Sequence, residues 1–264
     1  MSRWLLFFYL TLNALLAPAR PTLAQIKPAN GQFLSEGRAI DEFHCVPNAS
    51  GPRPAIILIH GCGPLGFGDD EYHEMCASLA EHSYYAMFVE YYSRTGQPNC
   101  AQFANDLENS LAARTPLPSA IYIRTISAAI ESLQANDKID STHIGLLAFA
   151  DGVCDALTIA SVDPNIRAVV GYYTFMTPRL EMFMRQAKVF PSTLMLRGEG
   201  DSRVSGSYAR EMEDLLSQHQ GDHQVHTYPD VEHAFNFHEA RGFDPVATKD
   251  AWSRAIAFFD NHLR

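Results

Sequence analysis

Three short segments, far apart in the chain, carry side chains of the kinds that perform acyl transfer. Asp201 lies in Gly198-Glu199-Gly200-Asp201-Ser202-Arg203-Val204, and His233 lies in Pro229-Asp230-Val231-Glu232-His233-Ala234-Phe235. Each follows a short segment that reads as a strand, Thr193 to Arg197 and Gln224 to Tyr228. The third segment, His143 to Val153, ends Ala148-Phe149-Ala150-Asp151-Gly152-Val153. Its layout is small-x-nucleophile-x-Gly, a buried strand turning sharply into a helix. Position 150, where Ser or Cys would attack a carbonyl, holds an alanine, and a methyl group cannot attack. The order of nucleophile position, acid and histidine suits a triad in which His233 takes a proton and Asp201 fixes its tautomer. Taken singly, an Asp in a Gly-rich turn is a turn former. The joint order and the placement after strands give the triad reading its weight. Asp230 and Glu232 flank His233 and rank below Asp201 as its partner, because the geometry wants the acid on another loop.

Other residues complete the expected site. His60-Gly61-Cys62-Gly63 follows an apolar strand, and its glycines let backbone amides face a carbonyl oxygen. The expected oxyanion donors are the amides of Cys62 and Asp151. His60 is expected to support this loop. Glu90 and Arg94 follow the next strand and are candidate substrate-binding groups, with a surface ion pair as the alternative. Tyr91, Tyr92, Tyr172, Tyr173, Phe175 and Phe235 bring aromatic surface to the strand ends, and Phe235 is a further candidate for substrate contact. The candidate substitute nucleophiles are Asp151 and Cys154. From Asp151, however, the required glycine position falls on Val153, and Cys154 sits one helical turn on, facing packing. Water activated by His233 and Asp201 is a third route. A triad enzyme without its nucleophile keeps only about 10³–10⁴-fold acceleration over water.

The elements that must position these groups alternate between strand and helix. Ala55 to His60 is a continuous apolar run, as in a strand covered on both faces. Glu71 to His82 reads as a helix and Tyr84 to Glu90 as a strand. Ile123, Ile126, Ile130 and Leu133 recur at helical spacing. His143 to Phe149 is a strand, with a helix from Val153 to Ala160. Arg167 to Tyr173, Thr193 to Arg197 and Gln224 to Tyr228 are strands. Trp252, Ile256, Phe259 and Leu263 stripe a closing helix. Such alternation predicts an α/β fold, a mainly parallel central sheet with helices on both faces and ligands at the carboxyl ends of its strands. Gln25 to Arg53 is polar and irregular, an edge hairpin or wrapping arm. Ser93 to Pro118 is long and Asn/Gln-rich, a candidate lid.

The chain has 264 residues and a formal charge of −10. Arg3, the apolar run Trp4 to Ala17 and Thr22-Leu23-Ala24 together describe a signal peptide, residues 1–24, ahead of a single domain, 25–264. A membrane anchor is the alternative. The apolar core is shorter than the roughly 20 residues of a span, and Pro18, Arg20 and Pro21 break its end. A secreted or periplasmic protein is expected, with no membrane span after cleavage. Cleavage after Ala24 removes Arg3 and Arg20 and no acid, moving the charge from −10 to −12. That surface argues against nucleic acid as a partner. Of the five cysteines, Cys62 and Cys100 each follow a central strand and are the preferred disulfide; the alternative is that all five are free thiols. No pair has metal-ligand spacing, and neither metal nor cofactor is expected.

The sequence resembles the dienelactone hydrolase family of the α/β-hydrolases. The matching stretches are Ile57 to Gly63, Phe88 to Arg94, Ile144 to Gly152, Leu196 to Val204 and Tyr228 to Phe235. The resemblance implies an α/β-hydrolase fold, a carboxylic ester or lactone as ligand, Ser or Cys at 150, Asp at 201 and His at 233. The family usually has Gly at 148, where this chain has Ala148, and often Gly at 153, where it has Val153. The expected function is that of a hydrolase-fold protein inactive or severely impaired as written. It would be either a pseudoenzyme that binds its ligand or the nucleophile-to-alanine form of a hydrolase. The alternatives are an active hydrolase using Cys154, Asp151 or water, and a non-catalytic binding or scaffold domain.

Overall fold

The computed structural model describes residues 26–48, 50–62, 68–94, 119–174, 176–204 and 206–264. The predicted leader and most of the candidate lid lie outside the described residues, as do Cys100 and Phe175. The strands are β1 (Ala29–Ser35), β2 (Arg38–Cys45), β3 (Arg53–Ile59), β4 (Tyr85–Val89), β5 (Ile139–Phe149), β6 (Ile166–Tyr172), β7 (Ser192–Gly198) and β8 (His223–Tyr228). The helices are α1 (Asp69–Glu81), α2 (Ser119–Gln134), α3 (Asp151–Ala160), α4 (Pro178–Gln186), α5 (Gly206–Leu216) and α6 (Pro245–His262).

One eight-stranded sheet runs in the order β1-β2-β4-β3-β5-β6-β7-β8. The polar segment before β3 is an antiparallel hairpin, and β2 joins β4 antiparallel. From β4 to β8 all neighbours are parallel. The continuous apolar strands explain this, because they bury both faces and need a helical layer on each. On one face, Ile57, Ile59, Leu146 and Val169 pack with Ile126 and Ile130 of α2, Val153 and Leu157 of α3, and Met212 of α5. On the other, Ile56, Leu58, Leu147 and Val170 pack with Tyr72 and Leu79 of α1 and Ala255 and Phe259 of α6.

Two helices escaped the sequence reading. α4 is short, capped by Thr177 Oγ1, which accepts from the Leu180 amide at 3.1 Å. α5 buries only Met212, Leu215 and Leu216, a stripe too narrow to stand out. β5 starts at Ile139 rather than His143, and the elbow helix starts at Asp151 rather than Val153.

A disulfide absent from the sequence reading joins Cys45, at the end of β2, to Cys76 in α1, with Cα atoms 5.7 Å apart. It overturns the five-free-thiol alternative. Cys62 is also disulfide-bonded, and its expected partner Cys100 lies outside the described residues. Cys154 remains a thiol, in contact with Thr174.

Candidate active site

The site is built at the carboxyl ends of β3, β5, β6, β7 and β8. At the end of β5 the chain reverses into α3 through Ala150, whose φ of 50° and ψ of −123° are unusual for a residue with a side chain. The turn is held by the Ala150 amide, which donates to the Tyr172 carbonyl at 3.0 Å, and by the Val153 amide on the Ala150 carbonyl at 3.2 Å. Gly152 lets α3 close on β3: a Cβ there would stand 2.4 Å from the His60 carbonyl oxygen. Gly61 is equally constrained, since a Cβ on it would meet the Ala150 methyl at 2.9 Å. The backbone thus lifts residue 150 toward the loop after β3, as a nucleophile elbow does.

His233 and Asp201 meet across two loops. His233 Nδ1 lies 2.7 Å from Asp201 Oδ2. The Asp201 carboxylate is fully buried, while the imidazole keeps 18 % exposure toward the cleft. Its other oxygen accepts from the amides of Arg203 at 2.9 Å and Val204 at 3.2 Å, so the acid is fixed by its own turn. Tyr173 packs its ring 4.6 Å from the imidazole and donates its hydroxyl to Asn236 Oδ1 at 2.7 Å. Sequence reasoning treated Tyr173 as one aromatic among several; its backbone, at φ 40°, turns it against His233. Asp230 is an exposed turn residue at φ 58°, and Glu232 is exposed at the pocket edge.

Ala150 and His233 line one pocket of about 630 Å³. Gly61, Cys62, Tyr72, Tyr173 and Phe237 form its walls, and the exposed side chains of Arg203 and Arg241 stand at its rim. A cleft of similar size, about 660 Å³, opens at the other end of the sheet beside Pro164, Ile166 and Phe190. It touches none of the candidate catalytic residues, so position and chemistry single out the first.

The oxyanion loop departs from expectation. The Cys62 amide donates to Asp151 Oδ1 at 2.6 Å. The Tyr92 hydroxyl donates to Asp151 Oδ2. Of the two amides expected to receive a carbonyl oxygen, that of Cys62 therefore already holds an internal carboxylate, which belongs to the residue supplying the other. Asp151 is buried, and burial raises its pKa against the opposing pull of Tyr92, the Cys62 amide and the His233 charge. The Asp side chain after the elbow is visible in the sequence, but its fold back onto the Cys62 amide depends on Tyr92, 59 residues away. That separation left no local signal.

Other candidates move out of the cleft. Phe235 is fully buried against Tyr172, Tyr173 and Tyr228 and is a core residue. Phe237 takes the place at the pocket wall that was expected of it. Glu90 does not line the described pocket; burial raises its pKa first, with the charges of Asp69 and Asp41 adding to the rise. The side chain of Arg94 lies outside the described residues. Cys154 is partly buried, packed against the apolar core, its Sγ 3.6 Å from Thr174 Oγ1, and its enclosure pushes the thiol up to about 12. A thiol so disposed is a poor nucleophile. Asp151 is too enclosed to attack a ligand. His60 supports its loop as expected: Nδ1 lies 2.8 Å from the Gly61 carbonyl oxygen, among Phe88, Tyr91 and Tyr92, and burial lowers its pKa to about 4.

This architecture and site define an α/β-hydrolase. The model of the dienelactone hydrolase family matches residues 40–263, and the chain belongs to that family. A predicted carboxymethylenebutenolidase of Yersinia pestis is 23% identical over 236 residues, covering 86% of each chain. A predicted 2-oxo-3-(5-oxofuran-2-ylidene)propanoate lactonase of a Bradyrhizobium species is 23% identical over 225 residues, covering 82% of this chain and 87% of its own. Among solved structures, a predicted dienelactone hydrolase from Klebsiella pneumoniae superposes with a TM-score of 0.75 at 21% identity. It covers 90% of this chain and 99% of its own. A dienelactone hydrolase-like promiscuous phosphotriesterase from metagenomic libraries also reaches 0.75, at 17% identity, covering 91% of this chain and all of its own.

Proposed function

We propose that this chain binds a small carboxylic ester or lactone in the pocket beside His233 and does not hydrolyse it at enzymic rates. The observation that carries the reading is the methyl group of Ala150 at the elbow, next to a fully formed His233–Asp201 pair. The imidazole has its base and orientation but no hydroxyl or thiol to deprotonate. The pocket retains apolar walls in Tyr72, Tyr173 and Phe237 for the body of a ligand, and Arg203 and Arg241 for an anionic substituent. Its volume lies within the range of small-ligand sites. The names of the family and of the lactonase-like relatives favour lactones.

The protein acts outside the cytoplasm in this reading, as a mature domain of residues 25–264. Support comes from the leader-like residues 1–24 and the Cys45–Cys76 bond, a cross-link that persists in oxidising compartments.

Calorimetric titration with a short lactone and with its ring-opened hydroxy acid tests the reading, beside a chromogenic ester assay. The expected result is saturable binding that Ala150→Phe abolishes by filling the pocket, with turnover no more than about 10³–10⁴-fold above water. Absence of binding by the folded protein would leave a scaffold role instead. Turnover at ordinary enzyme rates would restore the active-hydrolase alternative.

A further inference from the structure

We propose that Asp151 is a positioning residue that keeps the anion-binding Cys62 amide, facing the elbow, filled from within. It makes the site unreceptive to a developing oxyanion even when a nucleophile is supplied. This rests on the reading of residue 150 as the nucleophile position. The geometry is direct. A tetrahedral intermediate needs two backbone amides aimed at its oxygen, one from the loop after β3 and one from the residue after the elbow. Here the Cys62 amide points at Asp151 Oδ1 at 2.6 Å, so the carboxylate of the very residue that supplies the second amide already occupies the first. The Tyr92 hydroxyl anchors the other oxygen. Asp151 also opens α3, where the helix N-terminus favours negative charge. The carboxylate therefore meets a donor and the dipole that an oxyanion would meet, and repels a second negative charge from the same place.

Restoring the hydroxyl alone should then give a poor enzyme. In Ala150→Ser the serine oxygen bonds to the ester carbonyl carbon, its proton passes to His233, and the carbonyl electron pair moves onto the oxygen. Collapse of the intermediate expels the alcohol with the proton from His233, and water completes the cycle by the same route. The second electron movement is the one Asp151 opposes. Removing its side chain frees the Cys62 amide, and a single such donor is worth about 10²–10³ in kcat.

The experiment compares Ala150→Ser with Ala150→Ser/Asp151→Ala, Ala150→Ser/Asp151→Asn and Ala150→Ser/Tyr92→Phe, using 4-nitrophenyl acetate. Asp151→Ala should raise kcat by about 100-fold or more, with KM within about threefold. Asp151→Asn removes the charge but keeps an acceptor on the Cys62 amide, so its gain should be smaller. Tyr92→Phe releases one oxygen and should give an intermediate gain with the elbow untouched. A purely structural role for Asp151 would lower kcat or leave it unchanged. Equal kcat for all four proteins, with lactone binding retained, overturns the proposal. Should Asp151→Ala fail to fold, Tyr92→Phe decides: a gain in kcat supports it and no gain overturns it. Loss of lactone binding in the parent protein is a separate result and counts against the functional reading.

Discussion

Two halves of the same cleft have been treated differently by this sequence. The half contributed by β7 and β8 holds a fully formed pair: Asp201 is buried, bonded through both oxygens and 2.7 Å from His233. The half contributed by β3 and β5 has the backbone shape of a nucleophile elbow with a methyl group at its apex. Its sharp angle stands at Ala150 and its close contact at Gly152, and the Cys62 amide beside them is bonded to Asp151. Backbone geometry and side-chain chemistry are therefore separable. The elbow persists because Gly61 and Gly152 and the packing of α3 on β3 require it, whether or not anything attacks from its apex.

The largest effect should come from breaking the intact half. In Ala150→Ser/Asp151→Ala, replacing Asp201 by Asn should lower kcat by about 10⁴-fold, since the imidazole loses its tautomer. A steady-state ester assay checks this, and a loss below tenfold would show that the pair plays no part. Next comes the geometric requirement of the altered half. Gly152→Ala places a Cβ 2.4 Å from the His60 carbonyl oxygen, where only movement of backbone can relieve it. A loss of about 3 kcal/mol in urea unfolding is expected, at the upper end of overpacking.

A third prediction concerns His60, which opens the loop carrying Gly61 and Cys62. Burial holds its pKa at about 4 in the folded protein, below the ordinary imidazole value of 6.5. The neutral imidazole therefore contributes stability that is fully present above pH 6.5 and is lost as pH falls toward 4. Between pH 7 and 4.5 the parent protein should lose roughly 2–3 kcal/mol through this group. His60→Phe, in the cage of Phe88, Tyr91 and Tyr92, should lack that component of the loss in paired urea titrations. The smallest effect sharpens the contrast. Ala150 holds φ 50° with a Cβ, and Ala150→Gly should raise the unfolding free energy by about 1 kcal/mol through relief of that strain. An unchanged or lower value would mean that the unfolded-state entropy of glycine outweighs it.

The sheet and the His233–Asp201 pair were legible because their signals are local. Continuous apolar runs mark buried strands, and the residues just past them land at one rim by the topology of a parallel sheet. Ala150 was legible for the same reason. What escaped depends on side chains meeting from afar. Asp151 was read for its amide and as a substitute nucleophile, because nothing adjacent in sequence says that Tyr92 and Cys62 will hold its carboxylate. Phe235 and Phe237 alternate at the strand end, and which one faces the pocket depends on a turn through Ala234 at φ 57°. The Cys45–Cys76 bond needed β2 paired with β4 and packed beside α1, a placement the polar character of Gln25 to Arg53 did not specify.

The carboxylate next to the elbow also shapes how this protein can change over generations. Alanine and serine codons differ by a single base, so the hydroxyl lies one mutation away. With the proposed filling of the Cys62 amide, that mutation would yield little for selection to keep, and the second change, at Asp151, would yield nothing without the first. The lineage would then face a flat stretch between its present sequence and an efficient esterase, wider than a single substitution.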